Sequence, residues 1–364
     1  MPPSYRDVPE DDLQPLATGA WILGAGGGGN PYHALLNMRR LYGEGRSVRL
    51  LPPEALDDDA LVAVVSTMGA PLVSEERLVD PAVCARPVRM MEEYLGRRFD
   101  AVMSLEIGGA NALQPFMVAA LTALPVVDAD TMGRAYPEAQ MSSFAIGDLR
   151  PWPLTLADVR DNGVVVARAA SWKWMERLSR KACTEVGSVA ATCKAPRSGR
   201  EVREWGILHT VTRAIALGRA VEDARRHKED PVQAAIAAGG GMAIFTGKVT
   251  DVERRTTEGF LRGSARIEGL GDDAGSTFSV DFQNEFTVGW IDGVPRLSVP
   301  DLICVMDQVS GEAIGTEALR YGQRVRVVAF PAPELQTRPR GLRYVGPRAF
   351  GYDLDFRSVF EEAS

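Results

Sequence analysis

Apolar runs alternate with helix-like segments over the first part of the chain. The stretches ALVAVVSTMGAP, FDAVMSLEIGGAN and ALPVVDADTMGRA predict buried strands, and GAWILGAGGGGNPYHALLNMRRLYG predicts a short strand, a glycine turn and a helix. Strands of continuous Val, Ile, Leu and Ala character are typical of parallel sheets that helices cover on both faces. The pattern therefore predicts a mostly parallel α/β domain over residues 1–165.

The hydrophobic period changes twice after this domain. From SWKWMERLSRKACTEVGSVAATC to REWGILHTVTRAIALGRAVEDARRH, apolar residues recur at helical spacing, which predicts a helical connecting segment over residues 166–240 that packs on the core. Beyond it, short segments such as TFSVDFQNEFTVGWIDG and QRVRVVAF alternate with Gly, Asp and Pro turns. We therefore predict a β-rich C-terminal domain, an antiparallel sandwich or barrel, over residues 241–364.

The composition narrows the class of partner. The 364 residues are 45% hydrophobic and 24% charged, which is ordinary for a globular chain with more than one core. The formal net charge is −7 and no long basic cluster is present, which argues against nucleic acid or an anionic membrane as the main partner. Because the chain has no signal-peptide pattern and no long apolar run, we expect a cytoplasmic protein that binds a small molecule.

The cysteines and histidines form no recognisable metal or nucleophile motif. The cysteines lack CxxC spacing, which favours small buried hydrophobic residues over a disulfide framework or a zinc site; they are Cys84, Cys183, Cys193 and Cys304. No HxH, HExxH or GxSxG motif is present. His33 follows the glycine turn by one helical turn, so it either faces a cleft or packs between helices, and we favour the packing.

A glycine run stands between the predicted first strand and the following helix; its members are Gly26, Gly27, Gly28 and Gly29. Unpaired backbone N–H groups at such a turn favour an anion or a developing oxyanion. GAGGGG contains the letters GxGxxG, but neither a P-loop nor a full dinucleotide fingerprint is present. Three interpretations stay open, in order of preference: a backbone cradle for a small substrate, a tight turn without function, and a nucleotide loop.

Glu106 follows an apolar strand in SLEIGGANALQPF, and two glycines after it permit a close approach of the backbone. An ionised carboxylate at the end of a buried strand needs a partner or a chemical role. Asn111 stands where a helix would begin, so it is either an N-cap or a ligand-binding residue.

A second polar group follows the apolar run LPVV and consists of Asp128, Asp130, Arg134 and Glu138. In open parallel sheets, ligands bind beyond the carboxyl ends of the strands, so we expect these carboxylates to share one cleft with Glu106. One carboxylate held ionised by Arg134 and another kept protonated by burial would supply a base and an acid. A site for a hard divalent cation and a structural Asp–Arg network are the alternatives.

The C-terminal half carries acidic residues of its own. Strict alternation in SVDFQNEFTVGW places Asp281 and Glu285 on one face of a strand and Asn284 on the other, and Asp301 precedes the run LICVMD. Either the second domain closes over the acidic cleft of the first, or these residues cover a solvated outer face.

Several long motifs make the chain resemble the S-methyl thiohydantoin desulfurase family, whose genes stand beside hydantoinase and oxoprolinase genes. The motifs are GAWILGAGGGGNPY, LEIGGANALQPF, LPVVDADTMGRAYPEAQM, GGGMAIFTGKVTDVERRTTEGF, FQNEF, VPDLICVMD, RYGQRV and VGPRAFGYD. The resemblance implies an N-terminal α/β part, a β-rich C-terminal part, and hydrolysis of a hydantoin-like ring in which water replaces methanethiol. Asn30 stands where family members commonly carry an acidic residue.

Together these observations predict a hydrolase of a small imidazolone or hydantoin-like ring with its cleft between the domains. The predicted catalytic residues are Glu106, Asp128, Asp130 and Glu138. The predicted substrate-binding residues are Gly26, Gly27, Gly28, Gly29, Asn111, Arg134, Asn284, Glu285 and Asp301, and Glu285 is the alternative general acid.

Two other functions stay open. The chain is either a non-catalytic, ligand-binding partner of a hydantoinase or oxoprolinase, with Trp172 and Trp174 as the contact patch, or a metal-dependent cyclic amidohydrolase. The favoured mechanism requires no cofactor, and a divalent metal is the alternative. We also expect a homo-oligomer, which is common among such enzymes.

Overall fold

A computed structural model describes residues 5–69, 73, 80–257 and 260–361. Its strands are β1 (Arg6–Val8), β2 (Val48–Leu51), β3 (Leu61–Gly69), β4 (Ala101–Ser104), β5 (Val126–Val127), β6 (Ala129–Asp130), β7 (Leu154–Ala157), β8 (Gly163–Val166), β9 (Val189–Ser198), β10 (Ile207–Leu208), β11 (Met242–Thr257), β12 (Phe260–Gly269), β13 (Thr277–Gln283), β14 (Glu285–Ile291), β15 (Val294–Ser298), β16 (Leu302–Asp307) and β17 (Arg324–Phe330).

The α-helices are α1 (Leu13–Leu23), α2 (Tyr32–Gly43), α3 (Pro81–Leu95), α4 (Gln114–Thr122), α5 (Ser143–Ile146), α6 (Trp172–Glu185), α7 (Gly199–Trp205), α8 (Thr210–His227), α9 (Pro231–Gly239), α10 (Glu334–Thr337) and α11 (Pro339–Val345). Short 3-10 turns cover Glu10–Asp12, Pro53–Ala55, Gly109–Leu113, Ala139–Met141, Gly271–Asp273 and Pro347–Phe350. In the described part of the chain, no helix has both the length and the hydropathy of a membrane span.

Eight strands of the described residues form a mixed sheet in the order β1-β2-β5-β4-β3-β9-β7-β8. Its centre is parallel, because β2 pairs with β5, β5 with β4, and β4 with β3 in the same direction. The strands β1, β9, β7 and β8 add antiparallel pairs on the two sides. The predicted largely parallel α/β architecture is therefore confirmed, and the segments after β4 and β5 leave the same edge of the sheet.

The predicted first strand is wrong, because GAWIL belongs to helix α1. This helix is buried on almost every side and packs against α8. A β-carbon on Gly19 would overlap the carbonyl of Ala214, and one on Gly218 would overlap the carbonyl of Pro15. A helix that is apolar all round gives a short hydrophobic run, which periodicity alone does not separate from a strand.

The segment predicted to be helical over residues 166–240 is only partly helical. Residues Val189–Ser198 form strand β9, which lies between β3 and β7 in the first sheet. The strand is buried along nearly its whole length, so it does not alternate between buried and exposed positions. It directly follows the amphipathic helix α6, and the apolar positions of the two elements merge into one apparent helical pattern.

In the C-terminal half, seven described strands form an antiparallel sheet in the order β15-β14-β13-β12-β11-β17-β16. Strand β14 also lies against β16, so the sheet curls into a half-barrel. Its interior is filled by aromatic and β-branched side chains such as Phe245, Phe278, Val305 and Val327. The predicted β-rich, antiparallel C-terminal half is confirmed.

The two halves share one hydrophobic core. Ile22 and Leu23 of α1 pack in the same cluster as Cys304 of β16 and Phe330 of β17. The thiol of Cys304 also donates to the carbonyl of Ile22 over 3.1 Å. Because the core is continuous, groups from both halves can be held in a fixed relation at one site.

Candidate active site

A cavity of about 430 Å³ lies between the two halves of the chain. Its walls come from the glycine loop after α1, the segments after β4 and β6, helix α6 with strand β9, and the turn between β13 and β14. This volume lies in the range of small-molecule sites.

Glu106 is a buried carboxyl group in this cavity with two donors directed at it. Its side chain is 7% exposed. Asn111 Nδ2 donates to Oε1 over 2.5 Å, and the backbone N–H of Tyr136 donates to Oε2 over 3.0 Å. Burial raises the pKa of Glu106 to about 7, while the two hydrogen bonds oppose that rise because they favour the ionised form. Glu106 therefore titrates near neutral pH.

Asn111 lines the cavity and orients Glu106. The backbone N–H of Thr67 donates to Asn111 Oδ1 over 2.8 Å, which fixes the amide so that Nδ2 faces the carboxylate. The N-cap position of the 3-10 turn Gly109–Leu113 is Gly108, so Asn111 is not a cap. Both ends of its amide are used within the protein, which makes it a positioning residue for Glu106.

Glu285, the first residue of β14, enters the cavity from the other half of the chain. It is 3% exposed, and Oε2 has no hydrogen-bond partner among the described residues. Burial raises the pKa of Glu285 well above its usual value, the charge of Glu106 raises it further, and Arg134 opposes the rise. These surroundings favour the protonated form of Glu285.

The predicted shared face of Asp281 and Glu285 is wrong. Asn284 has a φ of 59° and forms the turn between β13 and β14, so the alternation does not continue through it. Glu285 points into the cavity, whereas Asp281 bonds to Tyr352 away from it. Asn284 lines the cavity, and its Oδ1 accepts from the N–H of Leu261, which fixes the turn.

Lys194 and Arg180 bring positive charge to the cavity wall formed by β9 and α6, and sequence reasoning missed both. Lys194 is 6% exposed, and burial lowers its pKa while Glu176 raises it. Arg180 Nε donates to Glu176 Oε1 over 2.7 Å. A lysine inside the apolar run VAATCKAP is the available signal, and it is hidden when that segment is predicted to be helical.

In the glycine run, Gly28 and Gly29 line the cavity, and Gly26 and Gly27 lie behind them. Gly26, Gly28 and Gly29 have φ values of 92°, 78° and 78°, which favour glycine. The N–H of Ala110 donates to the carbonyls of Gly28 and Gly29. Within the described ranges, the N–H groups of Gly28 and Gly29 donate to no backbone carbonyl.

Asp128 and Asp130 lie outside the cavity wall, unlike their predicted position. Asp128 accepts from the backbone N–H and the hydroxyl of Thr212 in the first turn of α8. Asp130 is fully buried, and its Oδ2 accepts from the N–H groups of Ile107, Met132 and Gly133. Burial raises the pKa of Asp130 to about 7. Both carboxyl groups support the segments that carry the cavity, and only Asp130 lies near Glu106.

Arg134 and Asp301 are also structural in this fold. Arg134 is fully buried and donates to the carbonyls of Ala135, Pro300, Asp301 and Phe286, so it does not face a substrate or pair with Asp128 or Asp130. The carboxylate of Asp301 accepts from the backbone of Ala332 and the hydroxyl of Ser358. The arginine joins the two halves through backbone contacts.

Glu138 and His33 both reach the cavity. Glu138 is half-buried, and its Oε2 accepts from Gln140 Nε2. His33 is half-buried and lines the cavity, so the favoured prediction that it packs between helices is wrong.

The four cysteines are buried and free, as predicted. Burial raises the pKa of Cys183 to about 11, and its thiol donates to the carbonyl of Met68, which leaves no thiolate near neutral pH. Among the described residues, no group of three or more His, Cys, Asp or Glu side chains is arranged to hold a metal ion.

Fold and site define a two-domain protein, an α/β domain joined to an antiparallel half-barrel, with the buried carboxyl groups of Glu106 and Glu285 in the cavity between them. The family model "S-Me-THD-like, N-terminal domain" matches residues 11–168, and "S-Me-THD-like, C-terminal domain" matches residues 170–359. The chain belongs to this S-Me-THD-like family, which confirms the resemblance found in its motifs.

A crystal structure of a protein from Chromobacterium violaceum has the same fold. It is 22% identical to this chain, with a TM-score of 0.80, and the alignment covers 97% of this chain and 99% of that one. No curated protein matches this chain significantly.

Proposed function

We propose that this chain hydrolyses a small S-methylated thiohydantoin ring and releases methanethiol. One observation carries the proposal: Glu106 and Glu285, from opposite halves of the chain, enter the same cavity in different protonation environments. Membership of the S-Me-THD-like family supports the substrate class.

The reaction needs a base and an acid at one carbon. The substrate carries a C(=N)–SCH₃ unit between its two ring nitrogens. Water adds to this carbon and gives up a proton, the ring nitrogen gains a proton, and the C–S bond then breaks. The hydroxyl group of this adduct loses its remaining proton as the carbonyl forms, and the departing sulfur takes that proton up, so the products are a hydantoin carbonyl and CH₃SH.

The surroundings of the two carboxyl groups assign their roles. Glu106 receives two hydrogen bonds that favour its ionised form, so it takes the proton from water. Glu285 has an unpaired, buried Oε2 and a pKa raised by burial and by Glu106, so it donates the proton to the ring nitrogen. Two titratable groups whose environments separate their pKa values form an acid and base pair.

Lys194 has the role that the sequence predicted for Arg134, which is to keep one carboxylate ionised. Its ammonium group lines the cavity and interacts electrostatically with Glu106, so it stabilises the ionised base. The N–H groups of Gly28 and Gly29 lie in the same cavity as donors for a ring carbonyl oxygen.

The test is a product assay with purified protein and S-methyl thiohydantoin. Methanethiol is measured with a thiol reagent, and the hydantoin is measured by chromatography. Glu106→Gln and Glu285→Gln each lower kcat by roughly 10² to 10⁴, the contribution of a positioned acid or base. Glu185→Gln, at an exposed position of α6, is the matched control.

Wild-type turnover in both cavity variants would remove the carboxyl pair from the mechanism. The same assay with a chelator separates this mechanism from a metal-dependent amidohydrolase, because only the latter loses turnover.

A ligand-binding partner of a hydantoinase or oxoprolinase remains the second candidate. Trp174 and Leu178 are 49% and 42% exposed and lie one turn apart on α6, whereas Trp172 is half-buried and donates to the carbonyl of Leu149. This candidate is supported if such an enzyme co-purifies with the wild type but not with Trp174→Ser, and if the chain turns over no hydantoin. Light scattering of the purified protein tests the expected homo-oligomer.

A further inference from the structure

A second cavity of about 400 Å³ lies in the C-terminal half, against the face of β11, β12 and β13 that points away from the half-barrel core. Phe350 and Tyr352 close one side of it. Gln283 lines this cavity, while the next two residues, Asn284 and Glu285, line the first one. The turn between β13 and β14 therefore separates two independent cavities.

Two arginines face each other at the wall of the second cavity. Arg255 of β11 and Arg262 of β12 are direct partners in the antiparallel register, and both are exposed. Like charges that stand directly opposite each other on adjacent strands are destabilising. An oxyanion between the two guanidinium groups turns that repulsion into charge-assisted hydrogen bonds. Arg254 is not part of this pair, because its guanidinium donates to the carbonyl of Leu319.

Asp281 forms the floor of the cavity, and neighbouring side chains hold its carboxyl and carbonyl groups in place. The hydroxyl of Tyr352 donates to Asp281 Oδ2 over 3.2 Å, and Thr287 Oγ1 donates to the carbonyl of Asp281 over 3.0 Å. The ring of Trp290 packs against Tyr352 with 6.1 Å between centroids. Asp281 is half-buried, so its carboxyl group faces a ligand from a preformed position.

We propose that this second cavity binds a small molecule with an oxyanion at one end and a hydrogen-bond donor at the other. Arg255 and Arg262 bind the carboxylate or phosphate end, and Asp281 accepts a hydrogen bond from the donor end. A concave site of this volume with a half-buried floor suits a small molecule better than an acidic protein surface. The site is independent of turnover in the first cavity.

The oxyanion end is tested with inorganic phosphate as the probe. Isothermal titration and thermal unfolding are compared with sodium chloride at the same ionic strength. Phosphate is expected to bind the wild type and Glu106→Gln with equal affinity. Arg255→Gln and Arg262→Gln each weaken phosphate binding by roughly 10-fold or more, because each removes charged hydrogen bonds. Arg266→Gln is the control. It removes an exposed arginine that lies on β12 with Arg262 but outside the cavity, so it keeps the wild-type affinity for phosphate. The proposal is overturned if phosphate has no effect beyond that of chloride, or if Arg266→Gln loses as much phosphate affinity as the two cavity variants.

The donor end is tested by comparing β-alanine with propionate, which lacks the amine. β-Alanine binds more tightly than propionate to the wild type, and Asp281→Asn removes that difference while phosphate binding persists. Phosphate binding also reports that the Asn variant is folded. Equal affinity of the wild type for both acids overturns the two-ended site.

Discussion

Glu285 Oε1 occupies the space that a β-carbon would take at Gly27. The contact joins the loop after α1 to the first residue of β14, and the N–H of Gly27 donates to the carbonyl of Gly24 within that loop. The absence of a side chain at residue 27 is therefore what admits the carboxyl group of Glu285 to the cavity.

Gly27→Ala is expected to displace Glu285 and to lower kcat by roughly the 10² to 10⁴ attributed to a positioned acid. The loop backbone is held by hydrogen bonds to both halves, so the carboxyl group moves more easily than the loop. Steady-state kinetics on the S-methylated ring measure the effect. Gly43→Ala is the control, because nothing lies within 4 Å of a β-carbon there. Normal turnover in Gly27→Ala contradicts the role of Glu285.

The pH dependence of kcat/KM is expected to rise through about pH 7, where Glu106 loses its proton and becomes a base. Lys194 lowers the pKa of Glu106, so Lys194→Met raises that pKa and moves the rising limb to higher pH. A pH–rate profile of both proteins measures the shift.

Lys181→Met is the control for this profile, because Lys181 is an exposed lysine on α6 and lies outside the cavity. If the rising limb of the pH–rate profile does not move in Lys194→Met and only KM changes, Lys194 binds the substrate and does not lower the pKa of Glu106.

Asp128→Ala is expected to reduce stability and to leave turnover unchanged, because Asp128 caps the first turn of α8 through Thr212 instead of facing the cavity. Loss of such a cap costs about 0.5–2 kcal/mol. Urea unfolding measures this loss against Asp11→Ala, an exposed carboxylate. If a folded Asp128→Ala protein turned over roughly 100-fold more slowly than the wild type, Asp128 would be restored as a catalytic group.

Periodicity predicts an element correctly where the pattern of its apolar residues fits only one type of secondary structure. The apolar runs of β3 and β4 predict strands, and the short segments and turns of the C-terminal half predict its antiparallel sheet. Helix α1 and strand β9 are misassigned because both are buried nearly all round, so neither has an exposed face that sets a period. Strand β9 also lacks the run of β-branched residues that marks β3 as a strand.

The sequence by itself determined the family and the two-part architecture. It also made Glu106 a candidate site residue, because an ionised carboxylate at the end of a buried strand needs a partner or a chemical role. Only the tertiary structure decided which charged groups meet. Asp128, Arg134 and Asp301 bind backbone or helix ends, while Glu285 and Lys194 enter the cavity from distant segments. The physical reason is that a charge in a folded chain is directed by the nearest unsatisfied donors and acceptors, and these are set by packing across the two halves.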